Sequence, residues 1–257
     1  MAEPTTGVRH VEHVMGTVFS FDLRHPATPD VDRAVRDAVA WLHHVDQVFS
    51  TYRSDSAISR LGRGEGALEE MGDEVRYVLD LCAGAERRTH GCFTAYPGGR
   101  LDPSGLVKGW AVEEACRILA AAGVDRAYVN GGGDLQLGAE PSPGRPWRVG
   151  IADPTRAGEL LTVVTGHHLA VATSGRSERG AHILDPRTGA PASGLFSATV
   201  VGPRLTWADA YATAAVVRGP EALDWIEDVD GYELLAVSEA GEVAYSKGFP
   251  RPVAPAV

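Results

Sequence analysis

Two short apolar runs, at 126–130 and 134–138, are separated in this chain only by a link around Gly131, Gly132 and Gly133. Parallel strands need a crossover of about a dozen residues or more, so so short a link forces the two runs to lie antiparallel. The constraint recurs. Strand-like runs at 147–152, 160–165 and 168–173 follow closely on one another, and 232–246 reads as a hairpin. A stretch of three glycines is also more than a hairpin turn requires, and each costs conformational entropy on folding. Either the turn is loose, or something must come close to the main chain there.

Helices interleave with these strands without a regular βαβ rhythm. "TVFSFDLR" (17–24) alternates, with Phe19, Phe21 and Leu23 on one face of a half-buried strand. Thr28 and Pro29 then signal a helix start, and Val31, Val35, Ala38, Leu42, Val45 and Phe49 follow at three- and four-residue steps. The adjacent His43 and His44 point in two directions and read as surface residues rather than metal ligands. After a polar connection at 49–66, a second helix spans 73–89 with Val75, Val78, Leu79 and Cys82 inward. A third runs from about Leu106 to Ala122, stopped by Gly123. The C-terminal portion gives a strand at 197–202, a helix at 206–217 and a short helix at 221–228. This is an α+β pattern, expected as a single domain over 10–248 between a disordered N-terminus (1–9) and a C-terminal tail (249–257).

With 257 residues, 44% hydrophobic and 23% charged, the chain is long enough to bury a sizeable core and has the balance of a soluble globular protein. Its net charge of −10 disfavours nucleic acid or an anionic membrane surface as the main partner. No stretch approaches the ~18 apolar residues of a membrane span. The start "MAEPTTGVRHVEH" lacks the pattern of a signal peptide, so a cytoplasmic location is expected, with no membrane insertion. Cys82, Cys92 and Cys116, an odd set without CxxC spacing, read as reduced and mostly buried.

Three segments could carry chemistry. In "LDPSGLVKGWAVEEA" a helix begins just after Asp102 and Gly105, and a helix N-terminus behind a Gly-containing turn suits a phosphate. Lys108 early in that helix works against the dipole, which suggests contact with an anion or carboxylate; an exposed lysine is the plain alternative. In "TWADAYATAAVV" Asp209 and Thr213 are four apart and share a helix face. They are hard oxygen ligands suited to Mg²⁺, although an Asp near a helix start also serves the dipole. In "ATSGRSERGAHILDPRTG" His182 is a candidate general base. Ser174, His182 and Asp185 invite a hydrolytic triad, but no GxSxG elbow surrounds Ser174. The Asp-Pro-x-x-Gly echo between 101–109 and 184–194 is explained by turn chemistry alone. GxGxxG, GxxxxGK[ST] and zinc spacings are all missing from the sequence.

Taken in order, "HVMGTVFSFDL", "FSTYRSDSAISRL", "LDPSGLVKGWAVE", "VNGGGDLQLG", "ATSGRSERGAHILDPRTGAP" and "ADAYATAAVVRG" resemble the ApbE family of FAD:protein FMN transferases from about residue 10 to 245. The resemblance implies an ApbE-like, T-fold-related architecture of mixed and largely antiparallel sheets packed with helices. It also implies a Mg²⁺-dependent enzyme that splits FAD at its pyrophosphate. FMN passes to a Thr or Ser hydroxyl of an acceptor flavoprotein, and AMP is released. By the same resemblance Met15, Tyr52, Cys92, Phe93, Thr94, Asp102, Lys108 and Ile183 match FAD contacts. The Gly105 carbonyl, Asp209 and Thr213 match Mg²⁺ ligands, and His182 matches the histidine that activates the acceptor hydroxyl, with Asp209 the second catalytic position. Tyr52 favours the transferase branch over the one that hydrolyses FAD. There are departures: Thr94 and Ala212 stand where acids are found, Ala57 where Glu is usual and Gly62 where Asn is usual, and the segment from Phe93 to Asp102 is short. Those at Thr94 and Ala212 lend weight to a non-catalytic flavin-binding protein as an alternative, and an FAD pyrophosphatase using the same metal site with water as nucleophile is another. On this reading the three glycines let the main chain pass beneath the ligand, with Asn130 and Asp134 fixing the turn.

Overall fold

Strand alternation and one well-capped helix account for the first layer of the structure. A computed structural model describes residues 7–175 and 183–250. The hairpin β1 (Val8–Val14) and β2 (Thr17–Leu23) opens the chain, with Phe19, Phe21 and Leu23 of β2 fully buried. Strand β1 therefore begins inside the segment expected to be disordered, which is corrected at Val8 and Arg9. Helix α1 (Pro29–Phe49) starts where expected: Thr28 accepts a hydrogen bond from the Val31 amide through its hydroxyl at 3.3 Å, and Pro29 holds the first helical position. A short helix, α2 (Ala57–Gly62), interrupts the expected polar connection because the Ser56 hydroxyl caps it at Ser59 N, 3.1 Å away. Then come α3 (Asp73–Arg88) and α4 (Ser104–Ala121), the latter starting two residues before Leu106.

Strands β3 (Ala127–Gly131) and β4 (Asp134–Leu137) form the glycine hairpin, and β5 (Trp147–Ala152) pairs with β6 (Leu160–Gly166) in a separate two-stranded sheet. Strands β7 (Ala170–Gly175) and β8 (Ser197–Gly202) lead to α5 (Leu205–Arg218), α6 (Ala222–Ile226), β9 (Glu233–Val237) and β10 (Val243–Tyr245). The main sheet has the order β1-β2-β3-β4-β7-β8-β9-β10, and every strand pairing among the described residues is antiparallel. Two successive units thus share one plan, hairpin, helices, hairpin, with β5–β6 inserted between them. No sequence repeat announced that plan.

Helices α4 and α5 lie against one another and against β3, β7 and β8. They form the main core with Phe19, Phe21, Val129, Ala198 and Val200. The opposite sheet face is covered by the β5–β6 hairpin, whose Trp147, Val149 and Ile151 meet Val171, Val201, Leu235 and Val237. Strand β8 is buried at all six positions, which is why it reads as a continuous run of apolar and small residues rather than an alternation. Phe249 joins this second core, so the expected tail is corrected at that residue. The three cysteines are buried and unpaired, and burial pushes the Cys82 and Cys116 thiols up to about 12. No helix among the described residues is long and apolar enough to cross a membrane.

Candidate functional site

The two central helices touch because α4 has no side chain at one position. A Cβ on Gly109 would stand 2.6 Å from the Leu205 carbonyl oxygen and 2.8 Å from Asp209 Cβ, so only glycine permits this approach. The Gly109 amide donates to Asp209 Oδ2 at 3.0 Å, and Lys108 Nζ lies 3.0 Å from the same oxygen. Asp209 is 4% exposed on the otherwise small and apolar α5, so its carboxylate needs these partners. Lys108 also bonds Asp134 Oδ2. One ammonium therefore sits between two buried carboxylates, the carboxylate contact that its place early in a helix suggested.

These groups line a cavity of about 280 Å³. Cys92, Phe93 and Thr94 form part of its wall, as do Asp102, Gly105 and Lys108 at the start of α4. Ile183, Asp209 and Thr213 complete the set of expected residues that the fold brings together. Each is fixed locally. The Thr89 hydroxyl accepts from Phe93 N at 3.0 Å, and Asp102 Oδ1 accepts from Ser104 N at 3.0 Å in an Asx-turn that leads into α4. Thr94 lacks the acid found at its place, yet its hydroxyl hydrogen-bonds Glu86 Oε2 at 3.2 Å. The Thr213 hydroxyl lies 3.1 Å from that of Ser174 at the end of β7.

Two expected FAD contacts are not among the residues lining this cavity. Met15 occupies the β1–β2 turn at φ 53° and packs against the main core, and Tyr52 follows α1 with 97% of its surface exposed. His182 lies outside the described residues. Asp185 is held by Arg187, whose guanidinium keeps its carboxyl below the usual carboxylate range, and its carbonyl closes the turn to Gly189. The turn reading of that segment holds. His43 and His44 are exposed and pair with Glu12 and Glu74.

The glycines divide: Gly132 lines this cavity, whereas Gly131 does not. Gly131 faces inward: a Cβ there would lie 2.7 Å from Val112 Cγ2 and 2.8 Å from Phe19 Cε1. Gly132 and Gly133 supply the turn at φ 61° and 101°, and Asn130 Oδ1 accepts from Gly133 N at 2.9 Å. Asp134 does not fix the turn; it reaches Lys108 and accepts from Thr173 N at 2.8 Å. Among the polar lining residues, Asp134 and Thr173 are ones that sequence reasoning did not place in the site, and an acid directly after a glycine turn was the available signal for the first. A larger cavity of about 430 Å³ between the sheet and the β5–β6 hairpin shares Gly132, Asp134 and Thr173 but holds none of the expected site residues. The chemistry-bearing groups define the smaller one as the candidate site.

Among the described residues no group of three or more His, Cys, Asp or Glu could hold a metal by itself. A metal here would need hydroxyl, carbonyl or ligand oxygens beside Asp209, and the cavity offers such donors.

The model of the ApbE family matches residues 15–96 and 94–236. The chain is 31% identical over 240 residues to an FAD:protein FMN transferase from Rhodobacter capsulatus, covering 83% of this chain and 42% of that protein. With the Treponema pallidum protein of the same name it shares 36% over 173 residues, 60% of this chain and 48% of the relative. The chain thus spans less than half the length of the curated relatives it matches. A solved flavin transferase ApbE from Vibrio cholerae superposes with a TM-score of 0.81 at 22% identity, over 96% of this chain and 99% of the other, a likeness of fold.

Proposed function

The chain belongs to the ApbE family, and on that premise we propose that it is an FAD:protein FMN transferase. It would split FAD at the pyrophosphate and join FMN through a phosphoester to a Thr or Ser hydroxyl of an acceptor flavoprotein, leaving AMP. One observation carries the reading: Lys108 and Asp209 meet at 3.0 Å in a cavity also lined by Phe93, Gly105, Ile183 and Thr213. An acidic protein gains here the local cation that a diphosphate requires. Phe93 and Ile183 supply apolar wall beside it.

The donor set fits Mg²⁺. Asp209 and Thr213 are hard oxygen ligands one helical turn apart on α5, Gly105 offers a carbonyl, and Mg²⁺ is held by one or two carboxylates with waters and phosphate oxygens. The Asp209 contacts with Gly109 and Lys108 both fall on Oδ2, which suits a second role for the carboxylate. Bound there, Mg²⁺ supplies charge neutralisation at the diphosphate and at the departing AMP. The chain's own residues orient the substrate: Lys108 holds phosphate oxygens, with Asp102, Ser104 and Gly105 at the start of α4 on the same cavity wall. His182, next in sequence to Ile183, takes the proton from the acceptor hydroxyl. The hydroxyl oxygen bonds to the FMN phosphorus as the bond from that phosphorus to the AMP oxygen breaks.

The test is to incubate the protein with FAD, Mg²⁺ and candidate acceptor flavoproteins and to look for a mass gain of one FMN. Asp209→Ala should lower transfer by more than about 100-fold; turnover retained by that variant refutes the site. Rapid FMN release without an acceptor would identify a pyrophosphatase instead, and FAD bound but never consumed would identify a binding protein.

A further inference from the structure

We propose that Asp134 is a positioning residue, which holds the Lys108 ammonium on the cavity wall in place for the diphosphate of FAD. The proposal rests on the reading of this cavity as the FAD site. Asp134 is 3% exposed and opens β4 directly after the glycine turn. Its two oxygens are divided: Oδ1 accepts from Thr173 N at 2.8 Å, which ties it to β7, and Oδ2 accepts from Lys108. The carboxylate is therefore fixed by two strands while its free valence points at a lysine on α4.

Lys108 has two carboxylates within ion-pairing distance among the described residues, Asp134 and Asp209. The proposed chemistry asks Asp209 to face a divalent cation, and an ammonium on the same carboxylate competes with that. Asp134 is the second anion on Lys108, so that the ammonium is shared between two carboxylates rather than held by Asp209 alone. Removing the charge of Asp134 leaves Asp209 as the ammonium's one carboxylate partner among the described residues, and Lys108 is then held by Asp209 alone, away from the phosphates.

This makes a prediction of opposite sign to plain electrostatics. A carboxylate near a diphosphate repels it, so neutralising Asp134 should tighten FAD binding if the residue acted only through its charge. A positioning role requires the reverse. FAD affinity is measured by flavin fluorescence on the full chain with chelator present, for the wild type, Asp134→Asn, Lys108→Met and the double variant. Asp134→Asn should weaken FAD binding by on the order of 10-fold, and in the Lys108→Met background the same substitution should cause no further loss. Asn preserves the acceptor for Thr173 N, and the melting temperature reports whether the fold is kept; Asp134→Ser repeats the measurement if Asn does not fold. Additive losses, or unchanged or tighter binding by Asp134→Asn while Lys108→Met weakens it, would overturn the proposal and leave the site reading standing. Unchanged binding by Lys108→Met would overturn both.

Discussion

His25 joins the end of β2 to the start of β3 as a hydrogen-bond acceptor. Arg126 N donates to its Nε2 at 3.2 Å, beside the backbone bond from Arg24 N to the Arg126 carbonyl at 2.7 Å. An accepting Nε2 carries no proton, and burial holds the imidazole pKa below its ordinary 6.5, with Arg126 acting in the same direction and Asp125 opposing. A folded-state value below the unfolded one means a contribution to stability that is present in full above about pH 6.5 and is lost as pH falls through the folded-state value. The melting temperature of the wild type should therefore fall as pH is lowered below 6.5, and His25→Gln should remove that component of the slope. An identical pH profile for the two proteins would show that the proton goes elsewhere.

The β3–β4 hairpin shows which parts of an element its sequence reveals. Three glycines between apolar runs identify the hairpin, but only the packing separates Gly131, which faces the core, from Gly132 and Gly133, which make the turn. Gly131 makes room for two fully buried side chains, so Gly131→Ala should cost about 1–3 kcal/mol by overpacking. Gly133→Ala meets nothing within 4 Å and carries only the strain of φ 101°. Urea denaturation of the two variants should rank Gly131→Ala as the less stable, and the opposite order would mean the turn rather than the core demands glycine. Elsewhere β2, α1, β5 and β8 stood close to where alternation, capping and apolar runs placed them. Strand β1 was hidden because it pairs only with β2, and its alternation leaves Val11 57% exposed. Helix α2 is too short to show a period. Met15 and Tyr52 entered through the resemblance alone, and nothing local in the sequence says which wall of the fold either would join. The pairing of Lys108 with Asp134 and Asp209 joins segments 26 and 101 residues apart, a distance that turn and helix signals do not span.

At the scale of the whole molecule, a net charge of −10 and the proposed substrate oppose one another. FAD, with about two negative charges on its diphosphate, is repelled during approach and attracted only once it reaches Lys108, whose side chain is 24% exposed. These two interactions differ in range, and salt separates them. The Debye length falls from about 30 Å at 0.01 M to about 10 Å at 0.1 M, which removes most of the long-range repulsion but screens a partly buried pair much less. Stopped-flow measurement of FAD association should show the on-rate rising over that range of ionic strength while the off-rate changes little, so that moderate salt tightens binding. An on-rate that falls with salt would mean that basic residues near the cavity mouth outweigh the acidic surface and steer the substrate in.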